Sequence, residues 1–208
     1  MKAKNIYYVL FLVVILTAIL VYLKIAREKN EEHPQISELA IEPDLLINSA
    51  SRNLHDHKRL ASIEFLEDAI AMMKLLEKDG DEVSFKAIEV AIHDLEVVEG
   101  HIKADDVNDD MMYEAFADAM NSLAFASLRV SEELIRQGKE EEADKTLHYA
   151  MEHLQNSIKY ARGDQKEEEI KLAHRLKEII DQHLQSDLSV IDEVMTEIDS
   201  VVQSHVIK

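Results

Sequence analysis

Ten histidines stand among 42 acidic residues in this chain of 208, and no other combination of its side chains is better suited to chemistry. An imidazole one helical turn from a carboxylate is how helices assemble metal sites. Spacings of four occur at Glu89/His93, His101/Asp105, His148/Glu152, His174/Glu178 and His183/Asp187. In so acidic a chain such spacings arise nearly as often by chance, so solvated pairs on helix faces are the favoured reading. His148 with Glu152 is kept as a candidate metal-ligating pair, and so are His55 and His57 of the tight cluster His55-Asp56-His57. Residues two apart point to different sides of a helix, so joint ligation by His55 and His57 needs a kinked or extended backbone.

The patterns that would make these residues catalytic are missing. No Glu-x-x-His pair of the di-iron kind and no His-Glu-x-x-His occurs, and there is no Gly-x-Ser-x-Gly, P-loop or dinucleotide fingerprint. Cysteine is absent, which removes disulfides, thiolate zinc sites, iron–sulfur clusters and cysteine nucleophiles together. Met72-Met73, Met111-Met112, Met120, Met151 and Met195 offer thioethers to copper in principle, but filling gaps in a core is the commoner use of methionine. These observations predict a protein that is not an enzyme, with no catalytic residues and no cofactor.

The elements that would carry these side chains are helices. With 4 Gly and 2 Pro the chain has little turn chemistry, and it is rich in Leu, Ile, Ala, Glu and Lys. Pro43 and Asp44 suit the first turn of a helix whose apolar positions Leu46, Ala50, Leu54, Ile63, Leu66, Ile70 and Met73 run, with a break near His55, to Asp79-Gly80. A second helix is predicted from Asp81 to Ile102, with Phe85, Ile88, Ile92, Leu95 and Val98 on its inner side. Asn108 caps a third, in which Met112, Phe116, Ala119, Leu123, Ala126, Val130 and Leu134 form the stripe while Glu114, Asp118, Asn121, Arg129, Glu132 and Arg136 face away. Gly138 ends it, and a fourth runs on Ala143, Leu147, Ala150, Leu154, Ile158 and Ala161 to Gly163, making an antiparallel hairpin with the third. Ala173, Leu176, Ile180, Leu184, Ile191, Val194, Ile198 and Val201 then mark one long helix, or two meeting near Ser186-Asp187, with spacing suited to coiled-coil pairing.

Before all of this lies an uncharged apolar run, Ile6–Leu23, long enough to reach across most of a bilayer's hydrocarbon core, with Tyr7, Tyr8 and Tyr22 near its ends. A retained signal-anchor is favoured over a cleaved signal peptide, because the run is long and no small-x-small site directly follows it. The predicted organisation is an anchor over 1–27, a polar stalk over 28–43 carrying Pro34, and an acidic helical bundle over 44–208. The fold class is all-α: an antiparallel bundle of four to six helices with a long C-terminal helix, preceded by one transmembrane helix. With only five residues before the run, the N-terminus is placed inside and the bundle outside, in the periplasm of a bacterial envelope.

The chain's formal net charge is −19 although its first thirty residues are basic (Lys2, Lys4, Lys24, Arg27 and Lys29 against Glu28), which leaves −23 on residues 31–208. Such a surface repels phosphate backbones and anionic headgroups, so nucleic acid is excluded as a partner.

The spacing Gly138-x4-Ala143-x6-Ala150, with Leu147 between, resembles the turn and second helix of a tetratricopeptide repeat. That resemblance covers about thirty residues and implies close nesting of two helices over small side chains. An exported helical protein with paired helices and a Gly-x4-Ala turn is also similar in architecture to the YfdX family of envelope proteins, a likeness that implies no site residues. The function predicted is a membrane-tethered helical adaptor or scaffold that binds another protein, or itself, through its helices. The alternative is an extracytoplasmic ligand- or metal-binding sensor using His55, His57, His148 or Glu152.

Overall fold

Proline at the first turn and carboxylates at the positive end of the helix dipole start the folded part of the chain as the sequence suggests. The computed structural model describes residues 41–76, 81–181, 191–198 and 200, and every regular element among them is helical. The helices are α1 (Glu42–His55), α2 (Arg59–Leu76), α3 (Glu82–Ala104), α4 (Asp109–Arg136), α5 (Glu140–Ser157), α6 (Gly163–Asp181) and a short α7 over 191–198. Each of α1 to α5 packs against the next in sequence, as short connections between antiparallel neighbours require. The predicted run Ile6–Leu23 lies outside the described residues, as does the Ser186-Asp187 junction; among the described residues no helix is long and apolar enough to cross a membrane.

The helix ends follow local chemistry. Asp81 caps α3 by accepting from the Val83 and Ser84 N–H groups at 2.9 and 3.0 Å, and Asn108 caps α4 by accepting from Asp110 and Met111 at 2.8 and 3.4 Å. Three C-termini close in one way. His57 (φ 59°), Asp105 (φ 62°) and Gly138 (φ 73°) are left-handed and bond back to Leu54, Ile102 and Ile135, and the residue after each bonds back to Asn53, His101 and Leu134. Two of these turns are narrow enough for a buried serine to cross between the helices they join: Ser62 Oγ donates to the Ala50 carbonyl at 2.8 Å, and Ser131 Oγ to that of Ala143 at 3.1 Å. Alanine at those crossings keeps the backbones close.

The core has two apolar clusters. One gathers α1, α2, α3 and the first half of α4 around Ile47, Leu66, Met73, Leu95 and Phe116. The other gathers the second half of α4 with α5, α6 and α7 around Leu128, Leu147, Leu154, Leu176 and Val194.

Several predicted faces are corrected. Phe85 was expected inside and is 41% exposed, since the inner line of α3 runs through Ser84, Ile88, Ala91 and Leu95. On α4, Asp118, Asn121 and Glu132 were expected to face solvent and are buried, because α3 and α5 both pack against this helix and leave it little free face. On α6 the buried line is Leu172, Leu176 and Ile179, one position off Ala173 and Ile180. α1 turns Ile47 and Ala50 inward while Leu46 and Leu54 are only partly covered. α5 stops at Ser157, short of the predicted Ala161.

Candidate functional site

Polar side chains lie where the packing passes from one apolar cluster to the other. On α4 these are Asp118, Asn121 and Ser122; on α5, His153, Asn156 and Ser157; and α1 and α6 contribute one buried carboxylate each, Asp44 and Glu169. A buried carboxylate without partners is strongly destabilising, so each of these groups must be accounted for by what it touches.

Asp44 is 0% and His153 1% exposed. Its Oδ1 accepts from His153 Nδ1 at 2.9 Å and its Oδ2 accepts from Asn156 Nδ2 at 2.7 Å. Asn156 faces the other way with Oδ1, which accepts from Lys159 Nζ at 2.5 Å, so an exposed cation is linked to the buried carboxylate through one amide. A turn further along α1, Asn48 Oδ1 accepts from the Tyr160 hydroxyl at 2.7 Å. The Tyr160 ring stacks on Tyr113 at 5.9 Å and meets Phe116 edge-on at 5.4 Å, while the Arg162 guanidinium lies 4.5 Å over Tyr113. This set pins the N-terminal turn of α1 to the end of α5.

The second group is centred on Glu169. Its Oε1 accepts from Asn121 Nδ2 at 2.7 Å and Gln165 Nε2 at 3.0 Å, and its Oε2 lies 2.8 Å from Ser157 Oγ. Burial drives the Glu169 carboxyl above the usual range, against the opposing pull of the Asn121, Ser157 and Gln165 donors and of Lys166. Asp118, one turn before Asn121, is pushed up to about 8, first by burial and then by the neighbouring carboxylates Glu114, Asp94 and Glu169. Asn121 Oδ1 is buried without a hydrogen-bond partner.

An aspartate that fixes an imidazole through Nδ1 is the orienting half of a hydrolytic triad, and Asp44–His153 has that geometry. Catalysis also needs a nucleophile and a route for substrate, and this pair is sealed within the bundle. In the bundle Asp44 pairs with the buried donors of His153 and Asn156 and ties α1 to α5.

The residues singled out by sequence lie elsewhere. His55 ends α1 with its side chain 91% exposed and Nδ1 3.8 Å from Asp56, and His57 is the left-handed residue that follows. The kink needed for His55 and His57 to converge is therefore present, but no contact joins the two rings. His148 turns back toward the Asp144 carbonyl at 2.8 Å, and Glu152, on the exposed side of α5, does not meet it. His101 likewise bonds Asp106 at 3.0 Å in the turn after α3. Among the described residues no three His, Asp or Glu side chains are grouped to hold a metal ion.

Sequence reasoning missed Asp44, His153, Asn156, Ser157 and Glu169. One signal was available: Glu169 falls in line with Leu172, Leu176 and Ile179, and His153 in line with Ala150 and Ser157, polar residues standing on otherwise buried stripes. Compared with models of known protein families, with curated proteins and with solved structures, the chain matches none.

Proposed function

We propose that this chain is a membrane-tethered, non-enzymatic helical module that docks another protein onto its acidic bundle. The observation that carries this reading is the distribution of apolar side chains. Leu75, Val83 and Phe85 are exposed on either side of the α2–α3 connection, and Leu45, Leu60 and Val97 add to the apolar surface of the first three helices. Large apolar groups exposed on a strongly acidic domain suit a partner with apolar side chains flanked by basic residues. The acid–imidazole pair, by contrast, is inaccessible.

The C-terminal stripe bears on the choice between another protein and self-pairing. Leu176, Ile191, Val194 and Ile198 are buried in the second apolar cluster, so these members of the predicted coiled-coil stripe are already used within the bundle. Docking of a different protein is thus favoured over self-association. The tether in this proposal is Ile6–Leu23 and the bundle is extracytoplasmic.

The test is chemical cross-linking of the full chain in its native membrane, followed by the same experiment with Leu75→Asp and Phe85→Asp combined. The expected result is loss of at least one captured protein with unchanged helicity and thermal midpoint. Capture unaffected by the double substitution would overturn the assignment of this surface.

A further inference from the structure

We infer that Glu169 is held as the neutral acid in the folded bundle, donating its own proton from Oε2 to Ser157 Oγ, and that this proton clasps α6 onto the α4–α5 hairpin.

The number of protons available at Ser157 and Glu169 decides the state of the carboxyl group. Ser157 Oγ lies 2.8 Å from Glu169 Oε2 and 3.1 Å from the Ala117 carbonyl oxygen of α4. A serine hydroxyl has one proton, and a backbone carbonyl only accepts. An ionised carboxylate only accepts as well, so with Glu169 charged one of these two short contacts sets lone pair against lone pair. With the proton on Glu169 Oε2, both become hydrogen bonds: the acid donates to Ser157, and Ser157 donates to Ala117. The other carboxyl oxygen, Oε1, then behaves as a carbonyl whose two lone pairs accept from Asn121 and Gln165. Every contact of the carboxyl group is satisfied in this one arrangement, and it ties together α4, α5 and α6.

The surroundings agree with a neutral group. Among the described residues Glu169 has no ion-pair partner; Lys166 and Lys171 on the same helix are exposed, and the pull of Lys166 toward the charged form is the weakest of the opposing influences. On α4, Asp118 is the carboxyl group that interacts with Glu169, and it is itself raised by burial and by Glu114 and Asp94, so the charge near this end of the site is acidic. On α5 the ionisable residue one turn before Ser157 is His153, which is engaged with Asp44 of α1.

A buried acid whose folded pKa is raised contributes stability that is complete below its ordinary value and is lost as pH rises through the raised one. The clasp therefore holds in acid and weakens as pH rises through the raised value, loosening the hold of α6 on the α4–α5 hairpin.

The isosteric probe is Glu169→Gln, whose amide donates where the acid carried its proton and accepts at the other end. On the full chain in detergent, E169Q is expected to match or exceed the parent's thermal midpoint at neutral pH. It should also flatten the fall in that midpoint as pH rises above the ordinary glutamate range. In the parent, the Glu169 side-chain carbon, followed by NMR, is expected to stay at its protonated shift through the ordinary glutamate range. A Glu169 carbon that titrates near the ordinary value of 4.5, or an E169Q chain as destabilised as Glu169→Ala, would overturn the proposal.

Discussion

Deleting the Asp44 carboxylate leaves two buried donors, His153 Nδ1 and Asn156 Nδ2, with no acceptor. Asp44→Ala is therefore expected to lower the unfolding free energy by about 3 kcal/mol in urea titration. Lys74→Ala breaks a 2.6 Å ion pair with Glu96 whose partners are both half-exposed, and should cost under about 1 kcal/mol. Equal effects would mean that the buried pair is not a structural tie. Asp81 behaves with the opposite pH sign to Glu169. Burial opposes its ionisation, but the Ser84 and Val83 N–H groups and Arg129 at 2.8 Å hold its carboxyl below the usual range. Its contribution is present above the ordinary aspartate value and lost as pH falls, so Asp81→Ala should cost about 1 to 2 kcal/mol at neutral pH and progressively less in acid. At this scale the sequence was least readable. Helical spacing tests only neighbours one turn away, whereas the partner of His153 stands 109 residues back along the chain.

The helices were far more legible, because their ends are set by residues acting locally. Asp81, Asn108 and Gly138 marked three boundaries correctly, and each does so through hydrogen bonds made within a few residues. Faces were harder. On α6, Leu172, Ala173, Leu176, Ile179 and Ile180 supply two overlapping stripes that share Leu176, and the burial of a carboxylate, Glu169, selects the one that charge alone would disfavour. On α4 the outward assignment of Asp118, Asn121 and Glu132 assumed a single covered face, which a helix packed by neighbours on both sides does not have. The turn geometry gives its own test. Gly138 has a left-handed φ and open space around its would-be Cβ, so Gly138→Ala should cost about 1 kcal/mol from backbone strain alone. His57, left-handed in the equivalent turn, should respond in reverse, with His57→Gly raising the thermal midpoint. A stabilised Gly138→Ala protein would contradict the shared turn geometry.

Across the whole molecule, charge and the buried acids act in one direction. A formal charge of −19 repels itself more strongly as carboxyl groups ionise, and Asp118, raised to about 8, adds a burial cost over the same rise in pH. Asp118→Asn is expected to be nearly neutral near pH 4 and to stabilise the bundle by at least about 1 kcal/mol above pH 8, read from chemical denaturation at both values. Added salt should stabilise the parent at the higher pH by screening the remaining repulsion.

The docking role is a claim about the outside of the bundle, where the exposed Leu75, Val83 and Phe85 flanking the α2–α3 connection are the feature that composition and helical periodicity did not reveal. A photo-crosslinking side chain placed at Phe85, in the full chain within its own membrane, addresses it most directly, with Lys145 on the exposed side of α5 as the comparison position. A discrete protein adduct from position 85 and none from position 145 is the expected result. Equal labelling from both positions, or adducts confined to a second copy of the chain, would contradict the reading.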